Sequence, residues 1–255
     1  MSERIVIKEI CEVYDGPHAT PKKTVDGPVY LGIDAITDDG KINAKEFAHL
    51  SEEDYIKWTK RVTPQYGDIV FSYEATLGRY ALIPKDFYGC LGRRLAIIRN
   101  VSKDIDTLWL YYYFLSPEWK QFIQSKIIKG STVNRISVED FPTYTVPNIS
   151  IKVQRKIANI LSKIDEKIAL NNNINDNLSA MAYDIYMHTF FSKKPNAKLK
   201  DILTEAEKSA IQVGEAKTSN GEYPFFTSGA TILKWNEPFV DGRNCFLNTG
   251  GNADV

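Results

Sequence analysis

IKVQRKIANILSKIDEKIALNNNINDNLSAMAYDIYMHTFF, residues 151–191, decides how this chain is organised. Its apolar residues Ile157, Ile160, Leu161, Ile164, Ile168, Ile174, Leu178, Met181 and Ile185 recur at helical spacing. With Ile157 at a heptad a position, the following a positions are Ile164, Asn171, Leu178 and Ile185. A repeat held that long predicts a coiled-coil seam. At about 1.5 Å per residue the helix would run roughly 60 Å, longer than a small domain is wide. It reads as a ruler or docking rod; the other reading is one long helix folded back on its own domain. The NNNIN run at 171–175 is a poor helix former. It either turns the chain into a hairpin or places Asn171 in the seam to fix register. The unbroken heptad phase favours the continuous helix. Ser150 is the expected N-cap.

Outward from the helix, residues 1–149 mix short strands, turns and helices. Strands are expected in GPVYLGIDAI, in GDIVFSYEATLGRYALIP (two, joined near 76–78) and in RRLAIIR. TLWLYYYFLSPEWKQFIQSKI reads as a helix broken near Pro117, and FPTYTVPN as a Pro-bounded extended segment. The expected class is α/β, a mixed α+β domain, rather than all-helical. After the helix (150–192), residues 193–255 echo the start of the first domain. Lys8-Glu9-Ile10 returns as Lys200-Asp201-Ile202, the segment 27–36 as 221–232, and GDIVFSYEATLGRY faintly as GRNCFLNTGGNADV. The second copy stops in its middle, so a partial domain that is poorly stable, or completed by another chain, is expected.

Composition narrows the function. The 32 basic and 32 acidic residues cancel, which argues against a generally sticky polyanion binder but not against a local basic face. The charge is uneven: residues 34–54 carry seven acids against two lysines. Residues 75–103 carry Arg79, Lys85, Arg93, Arg94, Arg99 and Lys103 against Asp86 alone, and residues 119–138 carry Lys120, Lys126, Lys129 and Arg135 with no acid. Cys11, Cys90 and Cys245 are odd in number and far apart, as in reduced intracellular proteins, and His18, His49 and His188 suggest no metal cluster. With neither a signal peptide nor a membrane span, a soluble cytoplasmic protein is expected.

No convincing catalytic set emerges. Asn236-Glu237-Pro238-Phe239 comes within one residue of an amino-methyltransferase motif but lacks a glycine-rich cofactor turn, and is read as a turn. Asp201 with Glu215-x-Lys217 has the residue types of a metal-dependent nuclease, types common on any surface. The aromatics Trp109, Tyr111, Tyr112, Tyr113, Phe114, Trp119 and Phe122 could stack on bases, but at helical spacing they are read as core. The basic loops are better candidates. Glu74, Thr76, Arg79, Arg93 and Arg94 lie among turns, and Lys129, Ser131, Thr132, Asn134 and Arg135 lie in a Gly-containing loop. Thr20 and Lys22 add a third loop. Such side chains suit phosphate positioning and base-edge reading; an ordinary solvated surface is the other reading.

The ordered segments DGPHATPK (15–22), GDIVFSYEATLGRYALI (67–83), LGRRLAIIR (91–99), GSTVNRIS (130–137), VPNI (146–149) and QRKIANILSKIDEKIALNNNINDNL (154–178) resemble the specificity (S) subunit of type I restriction-modification systems. The resemblance covers essentially the whole chain; its loop–proline–helix succession is the most specific part. It implies a first target recognition domain (1–149) reading one half of a split site in double-stranded DNA. It implies a spacer helix that pairs with a second spacer helix and docks methyltransferase (M) subunits. Adenine methylation and ATP-driven cleavage would belong to M and restriction (R) subunits, which would hold S-adenosylmethionine, ATP and Mg2+; this chain would hold no cofactor. Two departures stand out. Lys152-Val153 replaces the usual acidic pair before Gln154, and the second spacer helix is absent. The chain is therefore expected to work as a self-associating half-subunit or to be a truncated fragment. A helical adaptor with no DNA role is the alternative from another class.

Overall fold

The computed structural model describes residues 3–130, 133–204, 209–229, 231–242 and 244–246. The chain divides into two compact units, Met1–Ser179 and Ala180–Val255. In the first unit the strands are β1 (Arg4–Val6), β2 (Cys11–Asp15), β3 (Thr24–Leu31), β4 (Ala48–His49), β5 (Ile69–Ser72), β6 (Tyr80–Leu82), β7 (Gly89–Leu91), β8 (Leu95–Asn100) and β9 (Thr145–Pro147). The helices are α1 (Glu52–Trp58), α2 (Thr107–Leu115), α3 (Pro117–Gln124) and α4 (Ile151–Tyr186), the last running across the unit boundary. The class is mixed α/β with a long helix after a compact domain, as expected.

The central sheet is antiparallel, in the order β2-β8-β5-β6. It is buried on both faces, and the period of two explains how. Ile69, Phe71, Tyr80, Ala96 and Ile98 pack towards Leu110, Phe114, Trp119 and Phe141. Their neighbours Val70, Ala81, Leu95 and Ile97 pack towards Leu31, Ile36 and Ile83. The aromatic run is core: Trp109, Tyr111, Tyr113, Phe114 and Trp119 are buried, and the Phe114 and Trp119 ring centroids lie 4.7 Å apart. A second sheet, β4-β3-β7, pairs β3 with β7 in parallel. β1 pairs with β9 antiparallel, Ile5 opposite Val146, which ties the start of the chain to the entry of α4.

Local chemistry sets the helix ends. Asp106 caps α2 by accepting from Trp109 N–H at 2.9 Å. Ser116 ends α2 and caps α3, with Pro117 at the first helical position. The break expected near Pro117 is therefore a cap exchange. α4 opens on the Ser150 carbonyl, which accepts from Val153 and Gln154 N–H. It continues through NNNIN without interruption and ends in a single π-helical stretch, Met187–Phe191.

The second unit contains a 3-10 turn (Leu199–Asp201), α5 (Val213–Ala216) and a hairpin of β10 (Tyr223–Phe226) with β11 (Ile232–Trp235). The 3-10 turn repeats the one at Ile7–Glu9, so the echo of Lys8-Glu9-Ile10 in Lys200-Asp201-Ile202 extends to the backbone. Among its described residues Ala216 alone is a buried hydrophobic, as a lone hairpin has little to bury. Asn236–Phe239 follow β11 as irregular bends. Most of GRNCFLNTGGNADV lies outside the described residues.

Candidate nucleic-acid interface

β2 ends at Asp15, β5 ends at Ser72 and β8 begins at Leu95, and the registers Asp15–Ala96 and Ser72–Leu95 bring all three to one end of the central sheet. Beyond them the chain forms a shared rim. Tyr73 N–H donates to the Arg94 carbonyl at 3.1 Å, and Ile136 N–H donates to the Tyr73 carbonyl at 2.8 Å. Glu74 bridges to Arg135, and Arg135 bridges to Ile128. The loop around residues 128–135 is thus annexed to the end of β5. Glu74, Thr76, Arg94, Lys129, Asn134 and Arg135, from three separate sequence segments, sit on this rim, and Arg93 stands beside it.

The rim is built under strain. Ala75 and Arg94 adopt φ of 65° and 72°, left-handed conformations that side chains other than glycine disfavour. Arg94 Nε lies 3.4 Å from a Glu74 oxygen, an ion pair without hydrogen-bond geometry. Among the described residues, Arg94 Nε, Thr76 Oγ1 and Asp15 Oδ1 are buried side-chain polar atoms with no hydrogen-bond partner. Each such orphan costs about 1–3 kcal/mol. All three lie at the same end of the central sheet. Arg93, Lys129, Asn134 and Arg135 are exposed, and no salt bridge among the described residues uses the three cations.

The sequence candidates do not all gather here. Arg79 is spent on its own fold: it forks onto Asp38 at 2.6 and 3.2 Å and donates to the Ile36 carbonyl at 3.1 Å. Thr20 and Lys22 are exposed on a separate segment, where the Ala19 carbonyl accepts from Trp58 Nε1–H at 3.4 Å. Ser131 and Thr132 lie outside the described residues. Sequence reasoning missed Asp15, His18, Arg61 and Tyr73. Asp15 Oδ2 holds His18 at 2.9 Å and Arg61 at 3.7 Å. Burial first, then the Asp15 carboxylate, push the Tyr73 phenol up. Spacing carries no signal for this group, because it forms where β2 and β5, on either side of β8, end at the same edge of the sheet.

The second candidate surface is the seam of α4. Ile157, Ile160, Ile164, Ile168, Ile174, Leu178, Met181 and Ile185 are all exposed, Leu161 is half-buried, and Asn171 is exposed among them. The buried residues of the helix are Gln154 and Ala158, on a stripe the heptad reading did not single out. Among the described residues no group of three or more His, Cys, Asp or Glu could hold a metal ion, and no helix is long and apolar enough to cross a membrane.

Residues 2–180 match the family model described as the type I restriction modification DNA specificity domain. The chain belongs to that family. Among solved structures it is similar to the type I restriction-modification S subunit from M. genitalium, with 17% identity and a TM-score of 0.50 over 94% of this chain and 63% of that one. It is also similar to the HsdS subunit from Thermoanaerobacter tengcongensis (19% identity, TM-score 0.45, 66% of this chain and 38% of that one). A third similar chain belongs to a study of complex assembly and conformational transition of the type I R-M system (19% identity, TM-score 0.46, 72% and 43%). The chain spans less than two thirds of the length of each of these three chains. No curated protein matches it.

Proposed function

We propose that this chain is the DNA-reading, non-catalytic subunit of a type I restriction-modification complex. The family match over residues 2–180 carries the reading. The rim of Glu74, Thr76, Arg93, Arg94, Lys129, Asn134 and Arg135 supports it. Exposed cations position the phosphate backbone, while Asn and Arg side chains on the rim loops suit base edges. The domain reads one half of a split site. Partner M subunits dock on α4 and methylate adenine using S-adenosylmethionine, and R subunits cleave using ATP and Mg2+. A second copy in the cytoplasm, pairing through the exposed seam, supplies the recognition domain for the other half-site, and closed two-fold pairing makes the site palindromic.

The test is methylome mapping of a methylation-free host that co-expresses this chain with its M subunit. A split palindromic methyladenine motif is the expected result. No new motif, with M soluble and abundant, would refute the working half-subunit. Methylation by the chain without M would refute the non-catalytic assignment.

A further inference from the structure

The recognition domain is not tethered to α4 by a simple loop. Gln154, in the first turn of the helix, is fully buried. Its Oε1 accepts from Asp106 N–H at 2.8 Å, and its Nε2 donates to the Ile149 carbonyl at 2.8 Å and the Asp104 carbonyl at 3.1 Å. Both ends of one amide are used, a pattern no apolar side chain of that size reproduces. One turn on, Ala158 is buried. Further along, Asp165 Oδ2 accepts from the Tyr112 hydroxyl at 2.7 Å. Gln154 and Asp165 are separated along the helix by roughly 16 Å. Their partners Asp106 and Tyr112 belong to the cap and body of α2. The far side of α2 is set into the sheet by the buried Leu110 and Phe114. From Glu166 to Ser179 every residue of α4 is exposed, so the attachment stops at Asp165.

One attachment leaves a pivot; two separated attachments fix a direction. We infer that Gln154 and the Tyr112–Asp165 pair are positioning residues that clamp the recognition domain at one angle on α4, and that this angle sets the spacing between the half-sites the assembly methylates. The second clause rests on the proposed function; the first stands without it.

The direct test places spin labels on the full chain at Lys85→Cys and Asn177→Cys, with Cys245→Ser. The labelled chain is diluted into excess unlabelled chain so that only distances within one chain are read. A single narrow distance distribution is expected. Gln154→Ala with Asp165→Ala should at least double its width, since both side-chain attachments are then cut. Tyr80→Phe, which removes a comparable buried hydroxyl bond, the one accepted from Trp119 Nε1–H, and leaves Tyr112 and α4 alone, should leave it unchanged. An unchanged distribution in the double variant overturns the clamp. In cells with M, the double variant should keep the bases of each half-site and lose the single spacing. One unchanged spacing beside a broadened distribution overturns the link from angle to spacing. A narrow unmodified chain and a broad double variant, with no motif from either, would uphold the clamp and refute the proposed function.

Discussion

Arg99 on β8 closes a two-pronged ion pair on Asp68, its Nε and Nη2 donating to the two carboxylate oxygens at 2.8 and 2.7 Å. Asp68 is 3% exposed, and it also accepts from Gln65 N–H at 2.7 Å, so the pair ties the entry of β5 to its neighbour strand. Removing the cation leaves a buried carboxylate unpaired, which is more costly than the pair is beneficial. Arg99→Met should lower unfolding stability by about 3 kcal/mol, read from the urea midpoint. Asp68→Asn with Arg99→Met should recover part of that loss, and equal losses in the single and double variants would contradict the mechanism.

Tyr80 and Trp119 join the sheet to α3 through a buried bond, Trp119 Nε1–H donating to the Tyr80 hydroxyl at 2.8 Å. Tyr80→Phe keeps the ring and strands the indole N–H, a loss of about 1–3 kcal/mol. Trp119→Phe should cost more, since it also opens a cavity. Thermal unfolding of the two variants checks the order.

Alkaline pH should destabilise the domain through its buried thiols together with the tyrosines that burial also pushes up. Burial pushes Cys11 and Cys90 from 9.0 up to about 12. A raised folded value means that the native state holds the proton more tightly. The stabilisation is therefore complete below pH 9 and is lost as pH climbs from 9 towards 12. In that window each group should remove about 1.4 kcal/mol per pH unit. At neutral pH an aromatic disulfide reagent should label the exposed Cys245 at once and the buried pair only on unfolding. Rapid labelling of all three would show that the core is open.

The long helix was legible because its signal is local and periodic. The two strands of 67–83, the helix break at Pro117 and the core role of the aromatics were legible for the same reason. The site was half legible. Arg93, Arg94, Lys129 and Arg135 stood out as cations among turns, but Arg79 looked the same and proved to be occupied by Asp38, as Arg99, counted in the same basic stretch but read as part of a strand, is by Asp68. Those acids lie 41 and 31 residues away, so only the fold decides which arginines remain free. Gln154 was quoted as part of a motif without a role, because its partners are backbone groups of residues 104–106 and 149.

That separation of free from occupied arginines gives a DNA-binding prediction. Arg93→Ala, Lys129→Ala and Arg135→Ala should each weaken binding and, for phosphate contacts, reduce the salt slope by about one. Arg79→Ala should leave the salt slope unchanged and lower the melting temperature instead, because its guanidinium braces Asp38 and the Ile36 carbonyl. Titration of a labelled duplex at several salt concentrations separates these outcomes. Indifference of DNA affinity to all three exposed cations would favour a helical adaptor with no DNA role.

Asn171 occupies the a position midway between Ile164 and Leu178, and the helix runs through it unbent into a turn. Ile164 and Leu178 are 51% and 57% exposed, so a paired helix has apolar surface to bury on both sides of a polar residue. Covering a Leu or Ile contributes about 1.5–3 kcal/mol when complete, and roughly half that from these starting exposures. Ile164→Asp with Leu178→Asp removes both contributions and buries charge in their place. Self-association should weaken by about 100-fold or more, at 1.4 kcal/mol per factor of ten. Asn171→Ile should act in the opposite sense: tighter association, but a mixture of oligomers, because a buried Asn selects one register at the expense of stability. Sedimentation velocity over a concentration series reads both. A wild-type chain that stays monomeric at working concentration would remove the paired-rod assembly altogether, and with it the palindromic site.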